Sequence, residues 1–368
     1  MSALLGALAL LAIWATPVSA SGTIRVALAE SLRAAEVQGT DIEVRPLPEA
    51  AASIWRADIV RAAWTGPGIE VEGRRASVFQ LRSLHPMRVN GREYAPVLDL
   101  VGSGGGIAIV NELPLEEYVV GVVRAEAGER WPAEALRAQA IVARTYGAYH
   151  RIIGAGRPYH VVASTAHQQY AGRVPSTSPV WAAVQETAGQ VLRWQGELFP
   201  AFYHTESGGL TEDPRLVFSA RNMPALKPIV CPFSVGSPHF YWSLELRLDD
   251  LSQLLRRQGV DLGTVTSVEV TERTASMRAV AITVRGTRGA ARVRGNDFRR
   301  IVGYDSLKST WFAVAQDSKA VRFSGRGYGH GVGLCQWGAK GMAEQGYTAQ
   351  QILDFYYPGA VLGVLDGR

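Results

Sequence analysis

Through residues 21 to about 105, apolar and polar positions alternate with a period near two. Thr23-Ile24-Arg25-Val26-Ala27-Leu28 and Ile42-Glu43-Val44-Arg45 read this way, which predicts strands because successive strand side chains face opposite sides. Val89-Asn90-Gly91-Arg92 sets Asn-Gly between extended segments, a strong hairpin signal. Glycines at 102–106 punctuate the chain before the apolar run Ile107-Ala108-Ile109-Val110. The period then lengthens. Leu115, Tyr118, Val119, Val122 and Val123 recur at helical spacing, Pro114 and Glu116-Glu117 suit a helix start, and Gly128 suits its end. Asn111 is the expected cap of that turn. A second helix is predicted from Trp131-Pro132 to about Ile153, with a seam of Leu136, Ala140, Ala143 and Gly147 small enough for close packing. Val191–Tyr203 reads as extended. A short helix around Leu248–Arg257 and strands at Val265–Val270, Ala279–Val284 and Ala291–Val293 follow, and Leu334–Tyr357 reads as helical after a glycine loop. The expected class is α+β: mixed, largely antiparallel strands with a helical segment.

Composition narrows the setting. The chain has 368 residues, 47% hydrophobic and 19% charged, enough for a large core and two or three domains. A net charge of +5 favours an anionic partner without choosing among a wall polymer, a membrane surface and nucleic acid. Leu4–Trp14 is a nearly unbroken apolar run, too short to span a bilayer comfortably, and small residues at Val18-Ser19-Ala20 resemble a cleavage site. Residues 1–20 are therefore expected to be a secretory leader. The alternative is a retained N-terminal anchor, since no Lys or Arg precedes the run. No Cys follows the cleavage point, which argues against a lipoprotein. Cys231 and Cys335 stand in separate segments with no C-x-x-C partner, which argues against a structural zinc site; two such isolated thiols are more often unpaired.

Three clusters carry candidate chemistry. Glu126 lies eleven positions after Leu115, about three turns on, so it falls on nearly the same apolar face. A carboxyl at the end of a buried stripe loses hydration and keeps its proton, the state a general acid needs. On spacing alone, a last-turn Glu paired with an arginine such as Arg144 is the stronger alternative. His204-Thr205-Glu206-Ser207-Gly208-Gly209 puts an imidazole on a glycine-ended turn, and Gly325–Gly333 alternates five glycines around His330. The latter is neither a dinucleotide fingerprint nor a P-loop; glycines there permit close backbone approach, either to a ligand or in packing. His160 and His167 begin a metal site only if ligands such as His204 or His330 join them.

Taken in order, these segments resemble a known family. Asn111 to Val123, Ala125-Glu126, Trp131 to Ala140, Ala143-Arg144-Thr145-Tyr146, Gln169-Tyr170-Ala171-Gly172, His204 to Gly209, Gly325 to Gly333 with Gln336-Trp337-Gly338-Ala339, and Tyr356-Tyr357-Pro358-Gly359 together look like the stage II sporulation protein D family, also called the amidase enhancer LytB family. The likeness runs from about residue 86 to the end. It implies a lytic transglycosylase acting on peptidoglycan glycan strands that lack stem peptides; with the leader, it is expected to be exported to the periplasm, the cell wall or the outer face of the cytoplasmic membrane. The family's catalytic Glu falls on Glu126. Arg144, Gln169, Tyr170, His204, Ser207, His330 and Gln336, which lie in the shared motifs, are assigned to substrate binding. His167 stands where many members have Cys, so no zinc or other cofactor is expected. A cell-wall amidase is the implied protein partner, and a non-catalytic, wall-binding amidase enhancer is the rival role; no nucleic acid is expected. The division expected is a leader at 1–20, a β-rich region at 21–105 and a family-like domain at 106–368, with a β-rich subdomain at about 243–322.

Overall fold

The computed structural model describes residues 22–48, 54–94, 97–218 and 223–365. The expected leader lies outside the described residues. Among the described residues, no helix is long and apolar enough to cross a membrane.

The alternating N-terminal pattern folds into one large, mostly antiparallel sheet. Thr23–Leu32 lies between Gly106–Pro114, which it pairs antiparallel, and the short parallel strand Val161–Val162; Val97–Ser103, Val78–Arg82, Ala34–Leu47 and Trp55–Trp64 extend the sheet outward. The sheet thus runs across residues 105 and 106, where the sequence suggested a boundary. Asn90 (φ 49°) and Gly91 (φ 77°) turn the hairpin Met87–Val89/Arg92–Tyr94, the positive φ pair that Asn-Gly supplies at least cost.

Two helices cover this sheet, α1 (Leu115–Glu126) and α2 (Ala133–Ile153). Leu115, Tyr118, Val119 and Val122 of α1 join Ile24, Val26, Leu100 and Ile109 of the sheet in one buried core with Ala140 and Ala143 of α2. A Cβ on Gly147 would meet Tyr118 at 3.2 Å and Leu115 at 3.3 Å, so the small seam of α2 sets the helix spacing. Asn111 is not a helix cap. It lies inside the strand Gly106–Pro114, fully buried, with its amide bonded to the Val97 carbonyl, and Pro114 takes the N-cap position.

The opposite face of α2, through Ala138, Ile141 and Val142, packs into a second core with Leu334, Ile352, Tyr356 and Tyr357. The C-terminal helical stretch is two helices, Gln336–Glu344 and Ala349–Tyr356, broken at Gly346 (φ 87°) and restarted by Thr348, which caps the second with Gln351. Cys231 and Cys335 are both buried here as free thiols. A third core fills the β-rich stretch. There Tyr241–Arg247, Ala320–Arg326 and Phe312–Gln316 make one antiparallel sheet, and Val265–Arg273, Ala279–Gly286 and Gly289–Arg294 another. The helices Leu248–Arg257 and Gly295–Val302 pack on them. The fold is α+β and largely antiparallel.

Candidate active site

Glu126 is the last residue of α1. Its Oε1 accepts hydrogen bonds from the Gln169 amide N–H (2.8 Å) and the Tyr203 hydroxyl (3.3 Å), and its Oε2 accepts from Gln336 Nε2 (3.2 Å). Arg124, beside it, points elsewhere and pairs with Glu129. Burial raises the Glu126 carboxyl above the ordinary glutamate range, against the lowering effect of those three hydrogen bonds. The helix C-terminus, with its outward carbonyls, also disfavours negative charge there.

A buried chain of polar groups holds Tyr203 in place. Tyr118 donates to Gln168 Oε1 (2.8 Å), Gln168 donates to the Tyr203 hydroxyl (3.0 Å), and that hydroxyl reaches Glu126. Tyr203 arrives through the short parallel pair Tyr203–His204/Leu334–Cys335, which also sets Gln336 one residue beyond Cys335. One strand pairing therefore delivers two of the three partners of Glu126.

The same pairing places the imidazoles. His204 Nδ1 bonds the Val332 carbonyl (3.0 Å), so its tautomer carries the proton on Nδ1 and leaves Nε2, buried and unpartnered, as an acceptor. His330 Nδ1 accepts from the Val332 amide (3.0 Å), and the two rings are 5.5 Å apart. Burial and nearby arginines hold both neutral: His204 is pushed well below the usual range, and His330 down to about 3. The alternating glycines are packing devices that bring this loop in. A Cβ on Gly329 (φ 114°) would meet His204 Cβ at 2.8 Å, and one on Gly333 (φ 72°) the Phe202 carbonyl at 1.9 Å.

Glu126, Gln169, His204, His330 and Gln336 line one cavity of about 500 Å³. Its far wall comes from the β-rich stretch, through Asn296, Arg299, Tyr304 and Asp305, with Tyr328 bonded to Asp305 (2.5 Å). Arg299 is 7% exposed; its Nε and Nη2 donate to the Leu307 and Tyr304 carbonyls, and among the described residues no carboxylate pairs with it. The wall facing Glu126 therefore carries both a cation, Arg299, and an anion, Asp305. Sequence reasoning missed this wall and Gln168. The signal for the first was Asn296 and Arg299 at i, i+3 spacing; Gln168 has none beyond its place next to Gln169.

Three residues assigned to binding lie outside the cavity. Arg144 is fully buried and forms a bidentate pair with Glu116 (2.8 and 2.6 Å), adding bonds to the Val184 and Gln190 carbonyls. It joins α2 to α1 and to the helix Val180–Glu186 and strand Gln190–Trp194, and its carboxylate is Glu116, not Glu126. Tyr170 packs on Tyr118 and Tyr94 and donates to Asn111 (3.1 Å); a Cβ on Gly121 would meet its ring at 2.3 Å, so that glycine admits it. Ser207 is buried, with its hydroxyl accepting from Gly209 and its amide donating to Cys335. Gln169 serves Glu126 through its backbone; its side chain is exposed.

The donor set around these histidines does not fit a zinc site. His160 Nδ1 is taken by the Arg25 amide, both cysteines lie in another core, and among the described residues no three His, Cys, Asp or Glu side chains converge on a metal position.

What the geometry defines is an α+β protein with a single desolvated acid in a cleft between a helix pair and a β-rich arm. A family model for a stage II sporulation protein matches residues 103–194, and a domain model of unknown function matches 234–333. The chain is 32% identical over 275 residues to an uncharacterized protein of Brachyspira hyodysenteriae, covering 74% of this chain and 72% of that one. It is 28% identical over 273 residues to stage II sporulation protein D of Bacillus amyloliquefaciens (70% and 76% covered). It is 30% identical over 291 residues to the amidase enhancer of Bacillus subtilis, covering 66% of this chain and 40% of that longer protein. The chain belongs to the stage II sporulation protein D and amidase enhancer family.

Proposed function

We propose that this protein is an exported lytic transglycosylase that cleaves peptidoglycan glycan strands lacking stem peptides, with Glu126 as its proton donor. Family membership supports a cell-wall-related role. The observation that carries the catalytic reading is the Glu126 carboxyl itself, raised by burial and held by three donors at the floor of the cleft. Oε1 already accepts two hydrogen bonds, so the proton belongs on Oε2, where the Gln336 amide can turn its oxygen to receive it. Protonated Glu126 gives that proton to the glycosidic oxygen as the C1–O bond breaks toward an oxocarbenium-like state. The sugar's own 6-hydroxyl then bonds to C1, and its proton returns to the carboxylate. One carboxyl suffices because the nucleophile is intramolecular and no second carboxylate is needed to activate water. His204, neutral and lining the cavity, helps to orient the ligand. Export to the periplasm, the cell wall or the outer face of the cytoplasmic membrane, through a leader at 1–20, belongs to the same proposal.

The test is digestion of stem-peptide-free strands. Products ending in 1,6-anhydro sugars, absent with Glu126→Gln, are expected; strands left intact by the parent protein would overturn the activity. A second reading is favoured by one relative's name, amidase enhancer: the protein binds wall glycan and stimulates a partner amidase without cutting. Intact strands together with tight binding and faster amidase turnover would establish it instead.

A further inference from the structure

A second concave surface lies on the β-rich arm, at the end of the sheet Tyr241–Arg247/Ala320–Arg326/Phe312–Gln316. It encloses about 630 Å³ among Tyr241, Trp311, Met277, Arg273 and Arg326, over a floor of Trp242. We infer that this shelf binds further sugar rings of an anionic glycan strand that is engaged in the Glu126 cleft. The inference rests on the glycan reading above and extends it to a second site.

Aromatic rings and cations meet here without acids. Tyr241 is 65% exposed and Met277 is 51% exposed. The Arg326 guanidinium carbon stands 5.1 Å from the Tyr241 ring centre, 5.5 Å from that of Trp311 and 5.9 Å from that of Phe240, so the side chain is held among three rings. Arg273 is held by two carbonyls, of Met277 and Phe312, both at 2.8 Å. Neither arginine has a carboxylate partner among the described residues, whereas arginines elsewhere on this arm do: Arg322 pairs with Glu245, Arg292 with Glu272 and Arg288 with Asp261. Flat apolar rings fit the C–H face of a pyranose, and an exposed, unpaired guanidinium fits a sugar carboxylate.

The shelf is also built rather than incidental. A Cβ on Gly325 would meet Trp242 at 2.2 Å, so the glycine lets that indole form the floor. Met277 stands at the tip of a turn with φ 67°, a conformation uncommon outside glycine, and its side chain is turned outward. Arg326 lies two residues before Tyr328 of the cleft wall, and its amide is tied to the Trp311 carbonyl (3.0 Å). The shelf and the cleft therefore share one rigid segment. A second copy of this chain is a poorer occupant, because the net charge of +5 repels its own kind.

The test measures retention of stem-peptide-free glycan strands by protein carrying Glu126→Gln, which separates binding from turnover. In that background Tyr241→Ala and Arg326→Gln are each expected to weaken retention of long strands roughly tenfold, as loss of one stacked or charged contact does. Fragments of two sugars should bind as before. Tyr241→Trp should restore retention, and strands whose carboxylates are reduced to alcohols should lose sensitivity to Arg326→Gln. Unchanged retention in the folded double variant overturns the shelf, as does a variant that changes only self-association. Failure of the parent protein to form anhydro ends defeats the catalytic reading alone and leaves this retention result standing.

Discussion

Two glutamates on one helix have opposite surroundings. Glu116, in the first turn of α1, meets the fully buried Arg144 at two oxygens and also accepts from the Gly189 amide (3.1 Å). Glu126, in the last turn, meets only neutral donors. The helix end adds to the contrast, since exposed N–H groups favour charge at the start and exposed carbonyls oppose it at the finish. Glu116 holds α2 and the segment 184–190 against α1, while Glu126 closes the same helix with an acid left reactive. The residue type is shared; the cation and the helix end assign the role.

Substitutions at the two sites should part along that line. Glu126→Gln keeps shape and hydrogen bonding but removes the transferable proton, so glycan cleavage should fall roughly 100- to 10,000-fold, the range of general acid catalysis, while glycan binding and folding persist. Release of anhydro-ended products, measured beside circular dichroism, checks both halves. Arg144→Ala should do the reverse. It strands the Glu116 carboxylate and two carbonyls, and unfolding stability should drop by about 3–5 kcal/mol, the cost of breaking a buried pair on one side. Chemical denaturation reads it. An Arg144→Ala protein of parental stability that had lost only ligand affinity would restore the binding role first assigned to that residue.

Much of α1 and its acid could be read from sequence because the signal was local. The helical spacing of Leu115, Tyr118, Val119 and Val122 and the stop at Gly128 define the helix to within a residue or two, and the same spacing carries Glu126 toward the core. What failed was the separation of scaffold from site. Arg144, Tyr170 and Ser207 lie within the same shared motifs as His204 and Gln336, and only the packing tells which side chains face the cavity. Asn111 misled as a cap because its amide serves a strand neighbour and Tyr170. The far wall at 296–305 is separated from Glu126 by a whole antiparallel arm, and no local pattern encodes that approach.

A milder substitution probes how the acid is tuned. Tyr203→Phe removes one donor to Glu126 and leaves Gln168 Nε2 without its acceptor. Stability should fall by about 1–3 kcal/mol, the usual cost of an unpaired buried polar group. Because that hydrogen bond lowers the Glu126 pKa, its loss should carry the alkaline limb of the pH–rate profile upward while the maximal rate falls several-fold. A purely structural role for Tyr203 would lower stability and leave the profile in place.

The smallest expected effect is thermodynamic and concerns Glu126 alone. Its pKa is higher in the folded chain than in the unfolded one, so it contributes stability that is fully present below the unfolded value and is lost as pH rises through the folded one. Glutamine has no such dependence. The Tm of Glu126→Gln relative to the parent should therefore rise between pH 4 and pH 8, by a few degrees at most, on the acid-to-neutral side where the parent must ionise a desolvated carboxyl. Glu116→Gln should instead lose stability, because the buried Arg144 then lacks its anion. If Glu126→Gln gained nothing relative to the parent as pH rose, or Glu116→Gln cost no stability, the contrast between an unpaired and a paired acid at the two ends of α1 would be wrong.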